Sequence, residues 1–151
     1  MYHLPYGANK QDPTLIVIHA MGEYIKDNTK TYSAFEWLKY LKLSAHALVY
    51  PDGSILRTRR DTEGAYHAKG YNTNSLGIEF LVPGVHTYST FKEAIKRPYV
   101  TEDAMEAGKG LISYWLDNYK ITEVSSHSDL DPKRKIDPGK GFSWREIEGI
   151  V

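Results

Sequence analysis

The sequence predicts an α/β fold: a single domain over residues 1–151, with a mixed central β-sheet flanked by α-helices. Three observations predict it. The apolar runs Thr14–His19 and Ser75–Val82 read as buried strands, and capped amphipathic stretches opening at Ser33 and Thr101 read as helices. The order of elements, β-α-β-β-β-α-β, does not alternate strictly, which argues against a purely parallel sheet. At 151 residues and 17.2 kDa the chain is long enough to bury a real core.

Asp12-Pro13 precedes the first strand, which is expected to end at His19. Ser33-Ala-Phe-Glu36 is a capping box, with Glu36 placed to reach back to the Ser33 amide. Ala34, Trp37, Leu38 and Leu41 then recur at helical spacing as the apolar face. Ser44–Tyr50 and Ser54–Arg59 read as a hairpin, since Pro51 is preset for the first turn corner and Gly53 is free to take a positive φ. The polar, glycine-containing stretch 61–74 reads as a surface loop. Residues 83–100 carry Pro83, Gly84 and Pro98 without a clear period, leaving room for a short helix around Thr90–Lys96. Thr101 caps the next helix, with Glu102 and Asp103 favouring its positive end and an apolar stripe running from Ala104 to Tyr119. Ile121–Ser126 is the final strand and delivers His127 at its end.

Composition narrows the functions. Nineteen basic and nineteen acidic residues cancel to a formal charge of +0, so no net field points to nucleic acid or an anionic membrane surface. The absence of cysteine excludes disulfides and thiolate zinc sites. The N-terminus lacks the pattern of a secretory signal, and the apolar runs are too short to span a bilayer. The expectation is a protein made in the cytoplasm, monomeric and without a membrane segment. The twelve tyrosines suit an aromatic core, or a surface that handles flat or sugar-like ligands.

His19 and His127 each end a predicted strand, where ligands gather in open α/β sheets. Asp137 sits in the loop after His127, stiffened by Pro132 and Pro138, and could fold back beside it. Together they would supply three metal ligands and leave a fourth position to water, the pattern of a catalytic zinc site. Each also has a plainer reading, as a packed rim histidine or a turn-forming aspartate. Glu79 is the single charge in Leu76–Val82. Burying it alone would cost several kcal/mol, about the size of a small domain's whole stability. It is either a general base for activating water or an outward-facing glutamate on a half-exposed strand. Lys135, two residues before Asp137, could stabilise an oxyanion or could simply belong to the basic run Lys133–Lys135.

These residues lie in motifs that resemble the type-2 N-acetylmuramoyl-L-alanine amidases, whose fold is peptidoglycan recognition protein-like. The motifs are Ile16-Val-Ile-His19, Ser44-Ala-His46 followed by Asp52-Gly53, Tyr66-His67-Ala-Lys-Gly-Tyr-Asn72 leading to Asn74-Ser-Leu-Gly-Ile-Glu79, and His127 through Trp144. They run in family order from about residue 14 to 144, and the His67–Asn72 loop looks especially like that of small phage amidase endolysins. The resemblance implies zinc-dependent cleavage of the bond between the lactyl group of N-acetylmuramic acid and L-alanine in bacterial peptidoglycan. It implies His19, His127 and Asp137 as zinc ligands, Glu79 as the base and Lys135 as the oxyanion-stabilising lysine. His67, Asn74 and Lys42 are expected to meet substrate, and His46 to pack behind the site.

Some phage relatives carry cysteine where this chain has Asp137, and a tyrosine where it has Ala45. Residues 83–100 match no family motif and read as a lid or an insertion. The role expected is a phage or prophage endolysin, released to the cell wall by a separate membrane-permeabilising protein. The alternatives are a cytoplasmic muropeptide-recycling amidase and a non-catalytic peptidoglycan-binding module of the same fold.

Overall fold

The structure is a computed structural model and describes residues 2–151. Its strands are β1 (Leu15–Asp27), β2 (Lys30–Ser33), β3 (Ala47–Val49), β4 (Ile55–Arg57), β5 (Ser75–His86) and β6 (Glu123–Ser126). Its helices are α1 (Ala34–Leu41), α2 (Tyr88–Ala94), α3 (Glu102–Asn118), α4 (His127–Leu130) and α5 (Arg145–Glu148). They form one six-stranded sheet in the order β2-β1-β5-β3-β4, with β6 on β1. β1 runs parallel to β5 and β6, β3 runs parallel to β5, and the β1–β2 and β3–β4 pairs are antiparallel, so the sheet is mixed as expected.

Leu15 to Ala20 is buried without interruption, as expected of a parallel strand covered on both faces. Alternation along the strand divides these residues between two layers. Ile16 and Ile18, with Ile78 and Phe80 of β5, pack beneath Ile112 and Trp115 of α3. Leu15 and Val17 face the other way, toward Ala68. His19 and Glu79 keep the odd parity and therefore lie on the face turned away from α3. Gly108 lets α3 approach closely, because a Cβ there would meet the Phe80 ring at 2.5 Å. Ala34 and Leu38 of α1 join Leu4, Leu48 and Leu81 in a second cluster, whereas Leu41 is 42% exposed at the helix end.

The local signals at turns and caps are realised. Ser33 Oγ accepts the Glu36 N–H and Glu36 Oε1 accepts the Ser33 N–H, completing the capping box. Thr101 Oγ1 accepts the Ala104 N–H at the start of α3. Gly53 turns between β3 and β4 at φ 87°, and Asp52 Oδ1 accepts both the N–H and the O–H of Ser54.

Three expectations are corrected. First, β1 does not end at His19 but continues to Asp27 and pairs with the unpredicted β2. β5 likewise runs through Pro83-Gly84, because a register shift sets these two residues against Glu23. Proline, lacking an N–H, falls where the ladder skips, and the Gly84 N–H is taken by Glu23 Oε1 at 2.9 Å. Second, the stretch 61–74 is not simply a surface loop: Asp61, Ala65, His67 and Ala68 are buried. It is held from inside, with Asn72 Oδ1 accepting the N–H groups of His67 and Ala68 and buried Arg59 donating to the carbonyls of Gly64, Leu4 and Ala8. Third, the short helix begins at Tyr88, capped by Thr87, and ends at Ala94.

His46 is fully buried between these parts. Its Nδ1 accepts the Gly77 N–H at 3.0 Å, so its proton lies on Nε2 and is donated to the Glu63 carbonyl at 2.7 Å. Burial pushes this imidazole down to about 4, against the favourable carbonyl contact. The unfolded chain therefore takes up a proton on His46 between pH 6.5 and about 4 while the folded chain does not. Stability from this group is full above pH 6.5 and is lost on acidification through that window. Urea unfolding of wild type and His46→Asn across this range should show the variant's dependence to be shallower, by up to ~1.4 kcal/mol per pH unit. Parallel curves would remove His46 from the acid response.

Candidate active site

β6 pairs with β1 only from Leu15↔Glu123 to Ile18↔Ser126. Beyond that pair the strands part, and the next residue of each is a histidine, His19 in β1 and His127 at the start of α4. Ser126 caps the new helix by accepting the Asp129 N–H at 2.9 Å, which turns the chain sharply at His127. β2 joins the same edge of β1 only from Tyr24 onward, so among the described residues the edge between His19 and Glu23 has no strand neighbour.

Asp137 fills this gap. Its loop returns to α4 through the Ser128 N–H, which donates to the Asp137 carbonyl at 2.9 Å. Behind it the Tyr99 hydroxyl donates to the Pro138 carbonyl at 2.7 Å. Gly139, at φ 78°, packs so close to Ile95 that a Cβ would lie 2.6 Å from the Ile95 carbonyl oxygen. The carboxylate is thereby fixed with Oδ2 3.2 Å from His19 Nδ1 and Oδ1 3.2 Å from His127 Nδ1, and the Ala20 N–H donates to Oδ2 at 3.3 Å.

A ring nitrogen of each histidine and a carboxylate oxygen of Asp137 all lie within 4.8 Å of one another, and all three residues are buried. Two imidazoles and one carboxylate are a donor set that suits a divalent metal of borderline softness and leaves further coordination positions free. Burial pushes Asp137 up, but contact with His127 and His19 outweighs it and holds the carboxyl well below the usual carboxylate range. Burial also lowers His19, against the attraction of Asp137. An ionised carboxylate and a neutral imidazole are the protonation states that metal ligation requires.

Glu79 stands directly across from His19 in the β1–β5 register, with Oε2 3.9 Å from His19 Nδ1. Burial and the nearby Asp137 charge raise its carboxyl well above the ordinary value, and Lys135 opposes that rise. Lys135 and Glu79 both line a cavity of about 210 Å³ over the cluster. Trp37, Tyr66, Tyr88 and Phe91 form its aromatic wall.

The structure therefore brings together His19, His127, Asp137, Glu79 and Lys135. His67 also borders the cavity, but both its ring nitrogens are engaged inward, Nδ1 with His19 at 2.8 Å and Nε2 with Ser75 at 2.9 Å. Lys42 and Asn74 are exposed and stand off the cavity wall. Lys42 is the left-handed residue that ends α1, at φ 57°. Asn74 precedes β5 and lies ~16 Å back along the chain from Glu79, at about 3.3 Å per residue. Trp37, Tyr88 and Phe91 were not read as site residues: Trp37 is indistinguishable from a helix-face hydrophobe in sequence, and the other two fall in the stretch without motifs.

Two buried histidines and an aspartate that could hold a metal ion, with a second buried carboxylate and a lysine over them, are a side-chain set that fits a metal-site hydrolase. The sequence matches the family described as "N-acetylmuramoyl-L-alanine amidase" over residues 9–140. The 1,6-anhydro-N-acetylmuramyl-L-alanine amidase AmpD of Haemophilus influenzae is 27% identical over 174 residues, covering 99% of this chain and 88% of that protein. The endolysin of Enterobacteria phage T3 is 26% identical over 121 residues, covering 78% of this chain and 76% of its own. The N-acetylmuramoyl-L-alanine amidase LysC from Clostridium intestinale superposes with a TM-score of 0.69 at 26% identity, over 92% of this chain and 85% of that one. The chain belongs to the N-acetylmuramoyl-L-alanine amidase family. Its activity is that amidase activity.

Asp137→Ala should weaken divalent-metal binding by more than the ~10–100-fold that loss of an outer partner costs. Competition against a chromogenic chelator measures this, and wild-type affinity in the variant would take Asp137 out of the ligand set.

Proposed function

We propose that the site holds zinc through His19, His127 and Asp137 and cleaves the lactyl–alanine amide of bacterial peptidoglycan. The observation that carries this reading is the placement of buried Glu79 across the strand pair from His19, on the cavity side of the cluster. Zinc, when bound, supplies a water of lowered pKa and polarises the carbonyl.

The chain's own groups supply the remaining steps. The Glu79 carboxylate takes a proton from the attacking water and returns it to the departing alanine nitrogen. Burial raises its proton affinity, and a zinc ion beside it would offset that rise, so that the carboxylate can first accept the proton and then give it up. The Lys135 ammonium meets the negative charge that develops on the lactyl oxygen as the carbon becomes tetrahedral. Trp37, Tyr88 and Phe91 narrow the cavity and keep bulk water from the reacting groups.

The role proposed is that of a phage or prophage endolysin. The similarity to the phage T3 endolysin and the His67–Asn72 loop pattern support it. Recycling of anhydro-muropeptides is the second reading, favoured by the near-complete coverage of the match to AmpD.

Purified sacculi should release new L-alanine amino termini on incubation with the protein, and a chelator should abolish that release. Glu79→Ala should lose ~10²–10⁴-fold in turnover while keeping its zinc. Chelator-insensitive release, or a Glu79→Ala enzyme of undiminished rate, would sink the mechanism. Cleavage of soluble anhydro-muropeptides with intact sacculi untouched would select the recycling role instead.

A further inference from the structure

A line of hydrogen bonds runs from the cluster into the protein. His19 Nε2 lies 2.8 Å from His67 Nδ1, His67 Nε2 lies 2.9 Å from Ser75 Oγ, and Ser75 Oγ lies 2.6 Å from the Tyr71 carbonyl oxygen. The last atom sets the direction of all the others. A carbonyl oxygen only accepts, so the single Ser75 hydroxyl proton goes to Tyr71. Ser75 Oγ must then accept from His67, which places the ring proton on Nε2. An imidazole with one proton on Nε2 has a bare Nδ1, and that nitrogen accepts the Nε2–H of His19. His19 is left with its own Nδ1 bare, 3.2 Å from Asp137 Oδ2. Two acceptors at that distance repel each other unless a proton or a metal ion lies between them.

The surroundings hold the line in place. His67 is 9% exposed and Ser75 is fully buried. Asn72 Oδ1 holds the backbone N–H of His67. The ring lies over Gly77, where a Cβ would approach His67 Nδ1 to 2.5 Å. Gln11 fixes Ser75 from behind, accepting its N–H and donating to its carbonyl.

We infer that His67 is a positioning residue for the metal: through the Tyr71–Ser75–His67 line it holds His19 in the tautomer that turns a bare Nδ1 toward Asp137 and His127. This rests on the zinc reading above. It gives His67 a role different from touching substrate, since neither ring nitrogen remains free for a ligand. Ligating histidines elsewhere are mostly oriented by a carboxylate, a backbone carbonyl or a water on the far nitrogen; here a second imidazole does it.

The test uses the full chain and zinc alone. His67→Phe keeps a flat ring but no acceptor, and should bind zinc ~10–100-fold more weakly in competition with a chromogenic chelator. His67→Asn offers Oδ1 in place of Nδ1, and should restore binding to within a few-fold of wild type. In the zinc-free wild-type protein, nitrogen NMR should find both His67 and His19 protonated on Nε2. The inference is overturned if His67→Phe binds zinc as tightly as wild type, if His67→Asn binds no better than His67→Phe, or if the His67 proton sits on Nδ1. Should His67→Phe fail to fold, the asparagine variant and the wild-type tautomer still decide. If the wild-type chain takes up no zinc, the metal site itself falls, which is a separate result.

Discussion

The parallel pairing of β1 with β6, and its end at Ile18↔Ser126, is the constraint on which the rest of the structure depends. Up to that pair, both strands are tied by a regular ladder, and the paired stretch of β1 is buried between layers. Immediately after it, one chain continues straight as His19 while the other turns into α4 at His127. The divergence places the two imidazoles with ring centroids 4.4 Å apart, at the edge of β1 that no strand among the described residues covers. Asp137 satisfies that bare edge through the Ala20 N–H and faces both rings at once. Strand register therefore determines ligand geometry, and a slip of one residue would turn His19 to the α3 side of the sheet.

The second requirement is electrostatic. Asp137 and Glu79 lie in one small cavity, and two carboxylates sharing a site do not both ionise readily. The structure separates their behaviour by partners. Asp137 contacts two imidazoles and an amide, and stays ionised. Glu79 has burial and a like charge against it, relieved only by Lys135, and holds its proton far more readily. One carboxylate is thus suited to holding a cation and the other to moving a proton.

Much of this was legible in the sequence because it depends on short-range rules. His127 could be placed at a strand end from apolar run length, His19 could be placed in the buried strand although not at its true end, and Glu79 stood out as the single charge in a buried strand. Capping residues and the Pro51-Asp52-Gly53 turn announced themselves by local chemistry. What was hidden depends on partners distant in sequence. β1 continues past His19 because β2 and the far part of β5 pair with it, and no periodicity in Met21–Asp27 reports those neighbours. Pro83-Gly84 resembles a chain break until Glu23 is seen opposite it. The polar segment around His67 reads as exposed because its hydrogen bonds are made internally, by Asn72 and Ser75. Tyr88 and Phe91 join the cavity wall only because α2 folds back over β1, a contact with no sequence signature.

The ligand cluster also bears on how the molecule holds together. His19 and Asp137 are 118 residues apart in sequence, with His127 close to the second of them. A cation bound there acts as a clasp between the two ends of the chain, and it has no counterpart in the unfolded ensemble. Its binding free energy is then shared by the whole fold, growing with the logarithm of metal concentration above the dissociation constant. With a cation held there, thermal durability and ligand occupancy would become a single property, and metal supply would govern how long the protein lasts.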